Sequence, residues 1–133
     1  MAILRIFLVL LALPTAAWFA IGTRQAHDVA QASAIVSANP PPSPAAARRA
    51  TSLLRSAAWL NPDLEVDVLR GQLALAQGNL ARARAILFHV IRREPKLLAA
   101  WELYARASVD NPVAFYAAQI GIRRLVHLFA PRR

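Results

Sequence analysis

The chain has no cysteine. That excludes a disulfide framework, thiolate metal sites and a cysteine nucleophile, and it suits either redox compartment. Glycine is scarce, at four residues. That is too few for phosphate-cradling loops or for a turn-rich all-β fold. The seven acidic residues stand singly along the chain, so no carboxylates are paired by sequence for acid–base work. Three histidines, His27, His89 and His127, lie far apart with no i,i+4 pair, and none is expected to ligate a metal. No nucleophile elbow, P-loop or dinucleotide fingerprint occurs. The expectation is a protein that is not an enzyme, has no cofactor and takes no small-molecule substrate.

What is present is apolar and basic. The 133 residues are 57% hydrophobic and carry a formal charge of +9. Lys96 is the single lysine; every other side-chain cation except histidine is arginine. The apolar excess is concentrated at the N-terminus, where Ile6 to Gly22 reads IFLVLLALPTAAWFAIG without a charge. A bilayer core needs about 20 helical residues, with about 17 as the lower limit. Ala2–Leu4 completes the length if Arg5 snorkels to the headgroups. Trp18 and Phe19 sit where an aromatic belt would lie, and Pro14 is tolerated in a membrane helix. A single-pass anchor is therefore expected. A cleaved signal peptide is the competing reading, with Arg5 before the apolar run and small residues near Ala17 or Gly22. A buried helix of a soluble core is the third. The alanine-rich segment after it, Thr23 to Ser37, has no Gly or Pro; it favours a helix leaving the membrane unbroken. The flanking charges weakly orient the N-terminus to the cytoplasm and the bulk outside.

Four prolines then fall between Pro40 and Pro44. They exclude helix and central strand and read as a stiff extended spacer. Beyond it, apolar residues recur at helical spacing, with no useful strand-like alternation. Helices are expected over 45–60, 64–77, 80–93, 97–109 and 113–129. The breaks are Asn61-Pro62-Asp63, Gly78-Asn79, Glu94-Pro95 and Asp110-Asn111-Pro112. Turns this short make neighbouring helices antiparallel. The fold class is all-α. The chain divides into an anchor or signal segment (1–22), a juxtamembrane helix (23–38), the spacer (39–44) and a helical domain (45–133).

Pro62 and Pro95 are 33 residues apart, a period typical of helical-hairpin arrays. Leu64 to Leu97 resembles a tetratricopeptide repeat. It has a small residue within its first helix (Gly71), the turn Gln77-Gly78-Asn79-Leu80, Ala83 at the closest helix approach, Leu87 on the apolar face, and Pro95 at the end. Trp101 and Ala105 fit the first helix of a following unit, and Ala50, Leu54 and Ala57 fit the second helix of a preceding one. His27–Ser37 would supply that unit's first helix through the proline spacer. The arrangement looks like that of small bacterial membrane-anchored repeat proteins.

The resemblance implies a short α-solenoid that binds protein segments in the groove lined by its first helices. Lining that groove would be Glu65, Val68, Gln72 and Leu75 from one helix, and Ala99, Glu102, Arg106 and Val109 from the next. Of these, Arg106 alone could meet an anion. The last helix is apolar nearly all round, where a terminal helix needs a polar outer face. Phe115, Ile122, Arg123, Arg124, Val126 and Phe129 are expected to dock it on a partner or on anionic lipid. The alternative is that both its faces pack internally. Nucleic acid is not expected, because the arginines are dispersed and no nucleic-acid motif occurs. The function expected is non-catalytic: a membrane-anchored scaffold or adaptor for protein–protein interaction. The alternatives are a periplasmic or secreted repeat protein after signal cleavage, and a small structural subunit of a membrane complex.

Overall fold

The computed structural model describes Trp18, residues 22–60 and residues 64–129. Among the described residues there are six helices and no strand, so the protein is all-α. They are α1 (22–36), α2 (Pro44–Leu60), α3 (Leu64–Ala76), α4 (Leu80–Arg93), α5 (Leu98–Arg106) and α6 (Pro112–Phe129). The apolar segment read as an anchor, residues 1–22, lies outside the described residues except for Trp18 and Gly22. Among the described residues no helix is long and apolar enough to cross a membrane.

Local chemistry sets the helix ends. The Ser43 hydroxyl accepts from the Ala46 N–H at 3.3 Å, and Pro44 occupies the first helical position. Its missing N–H and preset φ cost nothing there. α2 therefore starts one residue before the expected point. α3 closes on Gly78, whose φ of +72° suits a residue without a Cβ. The Asn79 N–H bonds the Ala74 carbonyl at 2.9 Å and the Gly78 N–H bonds that of Leu75 at 2.9 Å, a Schellman ending. Asn79 then caps α4, its side chain accepting from the Arg82 N–H at 3.1 Å. Asn111 caps α6 in the same way through the Ala114 N–H at 3.1 Å.

α5 is shorter than the expected 97–109. Ala107 to Asp110 are turn residues. The Ser108 N–H reaches back only three residues, to the Ala105 carbonyl at 3.0 Å. Arg84 of α4 takes the Ala107 carbonyl at 2.7 Å and also pairs with Asp110. A side chain from the neighbouring hairpin thus satisfies a helix end that sequence periodicity would have extended.

The helices pack in series. α2 packs on α3, α3 on α4, α4 on α5 and α5 on α6, and α3 also touches α5, two helices on. α1 joins α2 as a hairpin: the Gln25 amide donates to the Ala57 carbonyl at 3.3 Å, and Arg49 donates to Gln31 at 3.5 Å. The proline segment is the turn of that hairpin. Ala32 and Val36 of α1 share an apolar cluster with Ala50, Leu54 and Ala57 of α2 and with Val66, Leu69 and Leu73 of α3. The helix expected over 23–38 therefore packs into the same core as the helices after the prolines. A second cluster holds Ala74, Ala83, Leu87 and Ala107, and a third Val90, Ile91 and Ala100. Two glycines bring helices close. A Cβ on Gly71 would lie 2.7 Å from Leu87 Cγ, and one on Gly121 would lie 2.5 Å from the Trp101 indole.

Candidate functional site

The first helices of the three hairpins are α1, α3 and α5. Their C-terminal ends meet the proline turn around an open cleft of about 490 Å³. Val36 and Ser37 come from the end of α1, Pro41 and Pro42 from the turn, Gln72 and Leu75 from α3, and Arg106 from the last residue of α5. The prolines make a rigid wall, since their φ is preset. Leu75 lies half-buried against the second cluster. Gln72 is also half-buried, while Arg106 is exposed. The cleft thus offers an apolar floor, an amide and one cation.

The groove residues expected from the sequence separate into groups. Gln72, Leu75 and Arg106 meet in this cleft. Glu65 lines a second cleft of about 430 Å³ between α1 and the start of α3, beside Gln25, Val29 and Ser33. Val68 is turned inward and packs against the third apolar cluster with Leu64, Leu97 and Trp101. Glu102 is exposed and Val109, in the turn after α5, is 69% exposed; neither lines a described cleft with the others. The repeat-signature residues lie at helix contacts and turns. Ala83 and Leu87 are fully buried and Ala105 nearly so. The Pro95 carbonyl accepts from the Trp101 indole N–H at 2.9 Å, and the indole stands edge-on to Tyr104.

α6 has a buried face and an open one. Ala118 and Leu125 are buried against the array, with Ile122 half-buried beside them. Phe115 and Val126 lie exposed on the flank, and Arg123 and Arg124 are exposed. The Phe129 side chain, like Arg132 and Arg133, lies outside the described part. The most open apolar stripe is Val113, Tyr116 and Ile120, at 82%, 69% and 44% exposure. Periodicity identifies both faces of α6 as apolar. The open one lies away from buried Ala118 and Leu125, and Gly121 beside them leaves room for the Trp101 indole.

Sequence reasoning missed a third feature. On the opposite side of α3, a cleft of about 320 Å³ between α2, α3 and α4 gathers Arg55, Arg70 and Arg82. The arginines are dispersed in the sequence because they come from three helices. The one local signal was Asp67 and Arg70 at i,i+3, which form an ion pair at 3.1 Å. Among the described residues no group of three or more His, Asp or Glu stands close enough to hold a metal ion. No buried side-chain polar atom among them lacks a partner; fully buried Ser108 donates to the Tyr104 carbonyl at 2.7 Å.

The class defined by this architecture is an all-α protein of helical hairpins packed in series. Comparison of the chain with known protein families, curated proteins and solved structures finds no match.

Proposed function

We propose that the chain is a non-catalytic scaffold or adaptor, a short tetratricopeptide-like α-solenoid held at a membrane by its N-terminal apolar segment. It recruits an extended segment of a partner protein to the face formed by its first helices. The observation that carries this reading is the cleft where α1, α3 and α5 converge, with Gln72, Leu75 and Arg106 set against the proline turn. An extended chain has alternating side chains and free backbone groups. An apolar floor, an amide and a guanidinium suit it. The contact between α3 and α5 and the close seat of Leu87 on Gly71 support the repeat reading. The uncharged, largely apolar run from Ile6 to Gly22 supports the anchor.

The experiment is photocrosslinking in cells from a reactive amino acid at Gln72, with fractionation and intact mass of the same tagged protein. The expected result is a discrete crosslinked partner in the membrane fraction, lost on Arg106→Glu, and an uncleaved chain. Reaction from Gln72 no greater than from exposed Ser52 on α2 would refute the groove. A soluble product shortened by about 20 residues, the length of one span, would replace the anchor with a signal peptide.

A second reading is favoured by one observation. The open stripe Val113, Tyr116 and Ile120 on α6 suits a small subunit docked permanently in a membrane complex. Stable co-purification in mild detergent that survives Arg106→Glu but fails on Tyr116→Asp would select it.

A further inference from the structure

We infer that the cleft between α2, α3 and α4 is a binding site for an organic phosphate monoester. It is independent of the partner groove. Asp67, Arg70, Ala74 and Gln77 line it from the face of α3 opposite to Gln72, Leu75 and Ala76. Three arginines line it, one from each helix: Arg55, Arg70 and Arg82.

Arg70 is held in place. It donates to Asp67 at 3.1 Å and to the Leu54 carbonyl at 3.4 Å, and its side chain is 38% exposed. A guanidinium has five N–H donors, so most of its donors stay available. Among the described residues Arg55 has no hydrogen-bonding or ionic partner and the Arg82 side chain has none. Of the other polar lining groups, Gln77 adds an amide, and the Thr51 hydroxyl already donates to the Ala47 carbonyl at 2.9 Å. Asp67 is the single carboxylate in the lining, against three arginines. The cleft is thus rich in donors, poor in acceptors and positive after its one ion pair is counted.

The ligand class follows from that chemistry. A phosphate monoester carries close to two negative charges near neutral pH and three terminal acceptor oxygens. Guanidinium groups meet such oxygens two at a time. Half-buried Ile86 supplies the accessible apolar lining beside the arginines, and it suits a small apolar group on the ester. The volume of about 320 Å³ is at the small end for ligand clefts. A free phosphate ester and a phosphomonoester lipid headgroup present the same chemistry.

The test uses the full chain in detergent micelles, with the arginine side-chain N–H resonances as the readout. Phenyl phosphate is titrated in solution in one arm. In the other, micelles are doped with lysophosphatidate or, as the phosphodiester comparison, lysophosphatidylglycerol. The expected result is saturable shifts of the Arg55, Arg70 and Arg82 signals with phenyl phosphate or lysophosphatidate, and much weaker ones with phenol, phenyl sulfate or lysophosphatidylglycerol. Response in the first arm identifies a free ester as sufficient, and response to lysophosphatidate alone identifies the lipid as the source. Arg55→Gln with Arg82→Gln should weaken binding by roughly tenfold per arginine. Arg55→Lys with Arg82→Lys should retain part of it. Both substituted residues are exposed, so the helical signal and melting temperature should hold. No saturable response in either arm, or an equal loss from Arg48→Gln with Arg49→Gln outside the cleft, overturns the proposal.

Discussion

Leu87 is fully buried and seats its branch point where Gly71 has no side chain. One missing carbon therefore sets how closely α3 and α4 approach. Alanine has the better helix propensity by about 1 kcal/mol. A Cβ at Gly71 would nonetheless lie 2.7 and 2.8 Å from Leu87 Cγ and Cδ2, and overpacking of this kind costs about 1–3 kcal/mol. Gly71→Ala is expected to lower stability despite the propensity gain, measured as a lower urea midpoint with an unchanged slope. Combining it with Leu87→Val should cost less than the two single changes together. Additive losses would show that the two residues do not compete for one space. Gly121 plays the same part for α5 and α6, with the Trp101 indole in place of the leucine.

The helix ends are built from side chains that each serve one boundary. Ser43, Asn79 and Asn111 cap the second helices α2, α4 and α6, and such caps are worth about 1 kcal/mol each. The α3–α4 turn also needs a left-handed residue, and Gly78 supplies it at φ +72°. An L-residue there costs roughly 1–2 kcal/mol. No atom lies near its missing side chain, so that cost is conformational alone. Gly78→Ala should destabilise by about 1 kcal/mol, and Gly78→Asn by less, because asparagine tolerates this region. Equal losses in thermal melts of the two variants would contradict the turn assignment. The α5–α6 turn works differently. Its carbonyl at Ala107 is taken by Arg84 from another hairpin, so that boundary depends on tertiary contact.

At the scale of the whole molecule, one apolar cluster joins α1, α2 and α3, and two more lie between α3, α4 and α5 at opposite ends of those helices. Such an array is stable only if each hairpin covers its neighbour. α1 matters for that reason. Ala32 is fully buried and Val36 is 5% exposed, against α2 and α3. If α1 were a separate juxtamembrane helix, a charge at Val36 would leave the melting of the remainder unchanged. Burial of an unpaired charge is strongly unfavourable. Val36→Asp should therefore lower the melting temperature of the whole cooperative transition, while Ala34→Asp on the exposed side of α1 should not. Among the described residues the other end of the array has no such cover, since α6 leaves Val113, Tyr116 and Ile120 open.

Most of the helices and turns follow from local chemistry, α5's end excepted. Proline, glycine and asparagine act within a few residues, through preset φ, left-handed freedom and short-range caps. α4 accordingly spans Leu80–Arg93 as its periodicity predicts. Ala83 and Leu87 were also legible, because small and apolar residues at helical spacing mark a packing face, and Gly71 was marked by the repeat resemblance. Contacts between helices set the remainder. Val68 repeats with its neighbours but turns into the third cluster, because α4 and α5 cover that side of α3. Arg84 shortened α5 from a position 23 residues before the carbonyl it binds. Arg55, Arg70 and Arg82 became one cleft, and Gln72 and Arg106 another with the proline turn. Periodicity places a side chain on a face of its own helix, but which neighbour meets that face is set by how the hairpins stack.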